Sequence, residues 1–185
     1  MEPYGPAVAG AGRDERAWVR GAQRGSAPDM EALFHAHWPA AHRAAYLVVH
    51  DAALAEDVAQ EAFLAAVRHL DRFDRRRPFG PWLHRIVVNR AIDWARARTL
   101  RREVAADGVP EPPAPERPES PQARRLAAAL AELGPEQRAV VVLRHLLEYT
   151  PGEIAALLDL PRGTVNSRLR RGLDRLEQAL REDGS

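Results

Sequence analysis

Between Glu103 and Pro121 the chain carries six of its fifteen prolines (Pro110, Pro112, Pro113, Pro115, Pro118 and Pro121), interleaved with Glu103, Asp107, Glu111, Glu116 and Glu119. Each proline removes a backbone donor and fixes φ, so neither a helix nor a strand ladder can run through such a stretch. It reads as an extended, flexible acidic linker. The 185 residues are thereby divided into two candidate domains, 14–102 and 122–182, with the linker at 103–121. Residues 1–13, rich in Gly, Ala and Pro, read as a disordered N-terminus.

Both candidate domains repeat apolar residues at helical spacing and show little alternation of period two. The pattern predicts helices over Arg13–Arg24, Asp29–His50 (bent or interrupted near Pro39), Ala53–Leu70 and Pro81–Arg98, the last with Pro81 in its first turn. Beyond the linker it predicts Gln122–Leu133, a stop and restart at Gly134-Pro135, then Glu136–Glu148, a helix ending near Leu158, and Arg162–Arg181. Thr150 and Glu153 have the spacing of a capping box. No strand candidate survives. The expected fold class is all-α, two small helical bundles joined by a Pro-rich acidic linker.

Composition removes several function classes. There is no cysteine, which excludes a disulfide scaffold, a Cys-ligated zinc finger and a thiol nucleophile. No run of about 18 apolar residues is present, and Met1–Gly12 lacks the basic start and apolar core of a secretory signal. The default expectation is a soluble cytoplasmic protein without membrane insertion. All 27 cations are arginine; against 26 acidic residues they leave a net charge of +1, which argues against a uniformly basic coat. The charge is nevertheless segregated. Residues 71–102 hold ten Arg and three Asp, for +7, and residues 161–185 carry +2, while 31–70 and 126–160 are each −3.

The two C-terminal helices have the shape of a helix-turn-helix. Ala155 is small where the helices must approach, and Asp159 stands where the turn wants a residue tolerant of left-handed geometry. Along the last helix Val165, Leu169, Leu173, Leu176 and Leu180 form an apolar stripe, whereas Thr164, Ser167, Arg168, Arg171 and Arg175 project elsewhere. Arginine suits bidentate contact with guanine edges and, like hydroxyls, bonds phosphates. A solvated charged face on an ordinary bundle is the plainer alternative.

In the first domain, Phe73 to Trp82 mixes Arg75, Arg76 and Arg77 with Phe79 and Trp82 in a Pro/Gly-interrupted loop. Cations that track a backbone beside rings that stack on unpaired bases are the chemistry of single-stranded nucleic acid. The following helix carries Arg85, Asn89, Asp93 and Arg96 along one face. The competing reading makes Phe79 and Trp82 core anchors. The preceding helix presents Asp57, Gln60, Glu61 and Leu64 as an acidic and amide-bearing stripe with one leucine, opposite an apolar side of Val58, Ala62, Phe63, Ala66, Val67 and Leu70. Such a stripe fits a protein partner with a basic surface better than acid–base catalysis. No Glu-x-x-His spacing occurs, and His35, His37 and His42 are not spaced to ligate one ion together, so no metal or cofactor is called for.

Ala55–Leu64, then Leu70–Asp74, then Trp82–Asp93 resemble the first conserved domain of extracytoplasmic-function (ECF) sigma factors. Leu133–Arg138, Glu153-Ile154-Ala155 and Gly163–Leu169 resemble the second, in the family's order. The resemblance implies a non-enzymatic initiation factor that binds core RNA polymerase and directs promoter recognition and melting. Asp57, Gln60, Glu61 and Leu64 fall where such factors grip the coiled coil of the largest polymerase subunit. Arg75, Arg76, Arg77, Phe79, Trp82, Arg85, Asn89 and Arg96 fall where they open and read the minus-ten element as melted single strand. Thr164, Ser167, Arg168, Arg171 and Arg175 fall where they read the minus-thirty-five element as duplex. The resemblance also admits a dedicated anti-sigma partner. The alternative is a helix-turn-helix regulator that binds duplex DNA without polymerase.

Overall fold

A computed structural model describes residues 11–104 and 121–182. Eight α-helices follow in order: α1 (Ala11–Ala22), α2 (Ala27–Val49), α3 (Ala52–His69), α4 (Phe79–Val104), α5 (Pro121–Ala131), α6 (Pro135–His145), α7 (Pro151–Leu158) and α8 (Arg162–Glu182), with a 3-10 turn at Leu70–Arg72. No strand occurs among the described residues. Three boundaries differ from expectation. The first helix begins at Ala11 within the segment read as disordered, α2 continues through Pro39 without interruption, and the edges of the expected linker are helical, Glu103 and Val104 in α4 and Pro121 in α5. The remainder of that linker, 105–120, and residues 1–10 lie outside the described residues.

Local chemistry sets the helix ends. Ser26 Oγ accepts the Asp29 N–H at 3.4 Å to open α2, and the close approach of α1 to this turn needs Gly21, where a Cβ would fall 1.7 Å from Asp29 Oδ2. α2 ends at His50, whose φ of 53° is left-handed, and Asp51 immediately caps α3 by accepting the Leu54 N–H at 3.0 Å. The second carboxylate oxygen of Asp51 accepts from Arg98 and so ties this corner to α4. Glu15 of α1 supplies the cap that α4 lacks in its own sequence, accepting the Phe79 N–H at 2.9 Å. Gln23 donates to the carbonyls of Leu70 and Phe73, which anchors the chain as it leaves α3.

In the first domain α2, α3 and α4 bury Leu33, Ala44, Val48, Val58, Ala62, Leu83, Val87 and Val88. Alanines at the contacts let the helices pack closely. In the second, α6 and α8 sandwich Val140, Leu143 and Val165, with Ile154 and Leu157 from α7. The apolar stripe of α8 is corrected in detail: Leu173 and Leu180 are exposed, and the buried side runs through Val165, Leu169, Gly172 and Leu176. Gly172 lies so close to α6 that a Cβ there would stand 3.0 Å from Val141 Cγ2. Val67 of α3, expected inside, is also exposed.

The two domains are packed against one another, α2 and α4 on α6 and α4 on α7, and their cores form one continuous apolar cluster. Arg138 of α6 lies at this junction, 8% exposed. Its Nε donates to Leu130 O, its Nη2 to Ala131 O and Leu133 O, and its Nη1 reaches Val48 O of α2. These carbonyls belong to the ends of α5 and α2 and the turn beyond α5, where intrahelical donors run out. Burial lowers the guanidinium pKa to about 10, which still leaves it charged at neutral pH. At the same junction His84 Nδ1 and Tyr149 Oη form a 2.8 Å hydrogen bond.

Truncation of Arg138 to alanine should cost about 3 kcal/mol or more, since it leaves buried carbonyls of both domains unpaired; denaturant unfolding measures this. Acid should weaken the same junction. Burial, reinforced by His37, pushes His84 down to about 4, and burial with Arg138 does the same for His50. Each imidazole thus contributes stability that is complete above its unfolded pKa of about 6.5 and is lost as the pH falls toward 4, on the order of 3 kcal/mol each at the limit. Urea midpoints should fall across that window, and H84Q should flatten the slope.

Candidate nucleic-acid and polymerase interface

Three surfaces carry the residues singled out in the sequence. The first lies on α8. Thr150 accepts the Glu153 N–H while the Glu153 carboxylate accepts the Thr150 N–H at 2.8 Å, a complete capping box that starts α7. Asp159 then turns the chain at φ 55°, so that α8 crosses α7. With Val165 and Leu169 buried, α8 leaves Arg171 and Arg175 exposed and Thr164, Ser167 and Arg168 half-buried on the flank of that stripe. Arg171 lies back along its own helix, its Nε donating to Ser167 O and its Nη2 to Ser167 Oγ, each at 3.2 Å. Arg168, Arg171 and Arg175 line an open recess with Gly134, Glu136 and Gln137, so the N-terminus of α6 faces into the arginine cluster. A phosphate in that recess would meet three guanidinium groups and the positive end of a helix, opposed by the Glu136 carboxylate.

The second surface surrounds the start of α4. Arg75, Arg76 and Arg77 are exposed on the loop, but they are not equivalent. Asp74 accepts from the Arg76 backbone N–H and from its guanidinium at 3.0 Å, and this pairing holds the Asp74 carboxyl below its ordinary range. Arg85 is exposed and Asn89 half-buried, one turn apart on the same face. Phe79 departs from the expectation of a DNA-contacting ring. It is 3% exposed, its ring packed 5.8 Å from Phe73 and 5.1 Å from His37, because its N–H is drawn inward onto Glu15. Trp82 remains half-buried, 4.7 Å from Phe73. Glu15 also accepts from His37 Nε2 at 3.1 Å; that bond, with the Phe79 N–H, lowers its carboxyl pKa against the opposing effect of burial. Arg96, further along α4, is engaged across the domain junction by Glu136, 2.6 Å from its Nε.

The third surface is α3. Asp57, Gln60, Glu61 and Leu64 are all exposed, Leu64 at 57%, and Val67 at 44% extends the apolar spot. Gln60 donates to Glu56 at 3.0 Å, and Arg90 of α4 donates to Glu61 at 2.7 Å. An apolar patch rimmed by oriented acidic and amide groups is suited to a basic, partly apolar protein surface. The histidines sit apart in their contacts: His37 on Glu15, His42 stacked 5.8 Å from Trp38, and His35 beside Glu31. No group of three metal-binding side chains gathers among the described residues. None of these helices is long and apolar enough to cross a membrane.

Sequence reasoning missed Glu15, Gln23 and Arg138. Glu15 and Gln23 bond groups 22 to 64 residues away, and Arg138 joins the nearby end of α5 and its turn to Val48 O, 90 residues away, so no local spacing reveals the links.

The structure thus combines a helix-turn-helix at its end, a second cationic surface near its middle and a separate acidic stripe on α3, the outline of a helical protein with several interaction surfaces. Comparison with known proteins makes this specific. The sigma-70 region 2 profile matches residues 33–101 and the sigma-70 region 4 profile residues 123–176. The ECF RNA polymerase sigma factor SigL of Mycobacterium tuberculosis is 36% identical over 171 residues, covering 90% of this chain and 97% of that protein. SigW of Bacillus subtilis is 34% identical over 145 residues, covering 69% and 76%. Among solved structures, CnrH in complex with the cytosolic domain of CnrY superposes with a TM-score of 0.69 at 30% identity, covering 92% of this chain and 99% of that one. The sigma factor RpoE bound to the anti-sigma factor NepR from Bartonella quintana shares the fold, with a TM-score of 0.66 at 24% identity over 83% and 97%. The chain belongs to the ECF sigma factors, non-enzymatic initiation factors that act with RNA polymerase. A helix-turn-helix regulator independent of polymerase is not favoured, since that reading leaves the region 2 half without a role.

If Glu15 is the cap of α4, E15A should destabilise the chain by about 1 kcal/mol, a loss E15Q largely avoids because its amide oxygen still accepts the Phe79 N–H. Thermal unfolding of the three proteins checks this.

Proposed function

We propose that this chain docks on core polymerase through Asp57, Gln60, Glu61 and Leu64, opens and reads the minus-ten element around the start of α4, and reads the minus-thirty-five element with α8. It acts in the cytoplasm, where its polymerase is. The observation that carries the reading is the α8 surface: Thr164, Ser167, Arg168, Arg171 and Arg175 lie together on a helix whose apolar stripe is packed on α6 and α7, with the three arginines around an open recess at the start of α6. In the minus-ten surface Arg75, Arg77, Arg85 and Asn89 contact phosphates and bases, and Trp82 supplies the stacking ring. Arg76 first leaves Asp74 and Arg96 first leaves Glu136, while Phe79 acts from inside the core by fixing the loop. Capturing an unstacked base costs a few kcal/mol, which stacking and phosphate contacts offset. Weak contacts from each domain become strong together because the two are tethered.

Two of the similar solved structures are sigma factors held by a partner, CnrH by CnrY and RpoE by the anti-sigma factor NepR. A comparable inhibitor is part of this proposal, with the exposed Leu64 and Val67 on α3 and Leu126 and Leu173 beyond the linker as apolar ground for it.

Run-off transcription with purified core polymerase is the decisive experiment. Promoter-specific transcripts that require this chain are expected; tight duplex binding without any transcript would reverse the reading. Arg168→Ala or Arg171→Ala should each cost about 1–3 kcal/mol of promoter affinity if that side chain reads a base. L64D should lower affinity for core polymerase and leave duplex binding by the free chain intact, a split that a general folding defect would not produce.

A further inference from the structure

One cationic surface stands apart from those already described. Arg16 and Arg20 lie four residues apart on α1, and Arg24 follows in the turn beyond it. All three are exposed. No Asp or Glu stands three or four residues from any of them, so the usual helical ion pairs are closed to them. The carboxylate beside Arg16, that of Glu15, is committed to His37 and the Phe79 N–H and acts on Arg16 through its charge alone. On the arginine loop and α4, by contrast, Arg76 meets Asp74, Arg90 meets Glu61, Arg96 meets Glu136 and Arg98 meets Asp51. Like charges four residues apart on a helix repel and weaken it. An anion arriving from outside would relieve that repulsion.

The place of α1 in the fold says which anion. Gln23, just past the end of α1, donates to the carbonyls of Leu70 and Phe73 at 2.7 and 3.0 Å, where the arginine loop begins. Glu15 accepts the Phe79 N–H at 2.9 Å, where that loop ends. The α1 segment thus holds both ends of the loop, and Val19 and Ala22 fix the helix in the core. Gln23 is three residues from Arg20 and adjacent to Arg24, so these cations adjoin the loop's entry. On the loop itself Arg75 and Arg77 remain exposed. Two sets of arginines on one rigid support extend the track along which a phosphate backbone can run.

We propose that Arg16, Arg20 and Arg24 form a further DNA-binding surface, which holds the sugar-phosphate backbone of the promoter immediately beside the minus-ten segment. This rests on the reading of the arginine loop as the minus-ten surface. The contacts are to phosphate, so they add affinity and salt dependence and carry no sequence preference of their own.

The test uses the holoenzyme on a promoter found by the run-off assay, premelted across its minus-ten segment. R16Q/R20Q/R24Q should bind this DNA about tenfold more weakly at physiological salt, and the slope of log affinity against log salt should be shallower by about 2 to 3. Shortening the DNA beside the minus-ten segment, first on one side and then on the other, should erase the difference from wild type on one side only. Thermal unfolding should show the variant at least as stable as wild type, because repelling charges have been removed. R16K/R20K/R24K keeps those charges and should bind within about twofold of wild type, since a phosphate accepts lysine as a point charge.

Unchanged affinity and slope in the glutamine variant overturn the proposal, as does a loss that persists when both flanks are removed. A lysine variant as weak as the glutamine one also overturns it, because shape and not charge is then at work. Vesicles containing phosphatidylglycerol supply the other arm: if the glutamine variant loses binding to them while its DNA binding is intact, the surface meets a membrane and the proposal falls. R75A and R77A separate the two readings. If they weaken binding to the premelted promoter while the glutamine variant does not, the α1 surface alone is wrong; if none of these variants has an effect, the minus-ten assignment falls with it.

Discussion

The buried guanidinium of Arg138 is the constraint on which the rest of the molecule is arranged. A cation with no carboxylate beside it is tolerable in an apolar interior only when its donors are spent on strong acceptors. Here those acceptors are the terminal carbonyls of α5, the turn that follows it, and a carbonyl near the end of α2. One side chain thereby finishes helices from both domains. It positions α6, and through α6 the floor against which α8 rests. It also explains why the two apolar cores merge: the bond to Val48 O requires α2 and α6 in direct contact, and water excluded from that bond is excluded from the neighbouring side chains as well.

Much of this was legible in the sequence where the information is local. Thr150, Glu153 and Asp159 act on groups within a few residues of themselves, and each occupies the role that its spacing implies. Proline acts on its own φ and on its own missing donor, so the proline-rich segment is expected to mark a boundary; most of it, 105–120, lies outside the described residues. Helix faces were legible where polarity and burial agree, as on α3 from Val58 to Ala66. They failed where they diverge: Val67, Leu173 and Leu180 are apolar yet exposed, and Gly172, which periodicity ignores, is the residue in contact. Phe79 illustrates a different limit. Its neighbours in sequence suggest a nucleic-acid loop, while its place in the core follows from a carboxylate 64 residues away. The junction between the domains was illegible altogether, since Arg96 and Glu136, like His84 and Tyr149, are related only by tertiary structure.

The alternation of charge along the chain acquires a spatial meaning. The segment at +7 is a partly self-neutralised surface, with Arg76 on Asp74, Arg90 on Glu61 and Arg96 on Glu136. Exposed pairs of this kind add little to stability. On the proposed reading their effect is on recognition, because each pair sets a threshold that an incoming polyanion has to exceed. A near-zero net charge is thus compatible with strongly directional binding.

Gly172 gives the α6–α8 contact a consequence for alignment. α8 is 21 residues long, about 30 Å at 1.5 Å per residue, and it meets α6 where the bare backbone of Gly172 rests against the Val141 side chain. Such a contact works as a fulcrum. A spacer of even one methyl at that point tilts a rigid rod whose arginines lie on both sides of it, so displacement grows with distance from the pivot. The tilt of α8 therefore depends on how Gly172 seats against Val141, and a larger residue at this position would shift the whole cationic face without altering any residue on it.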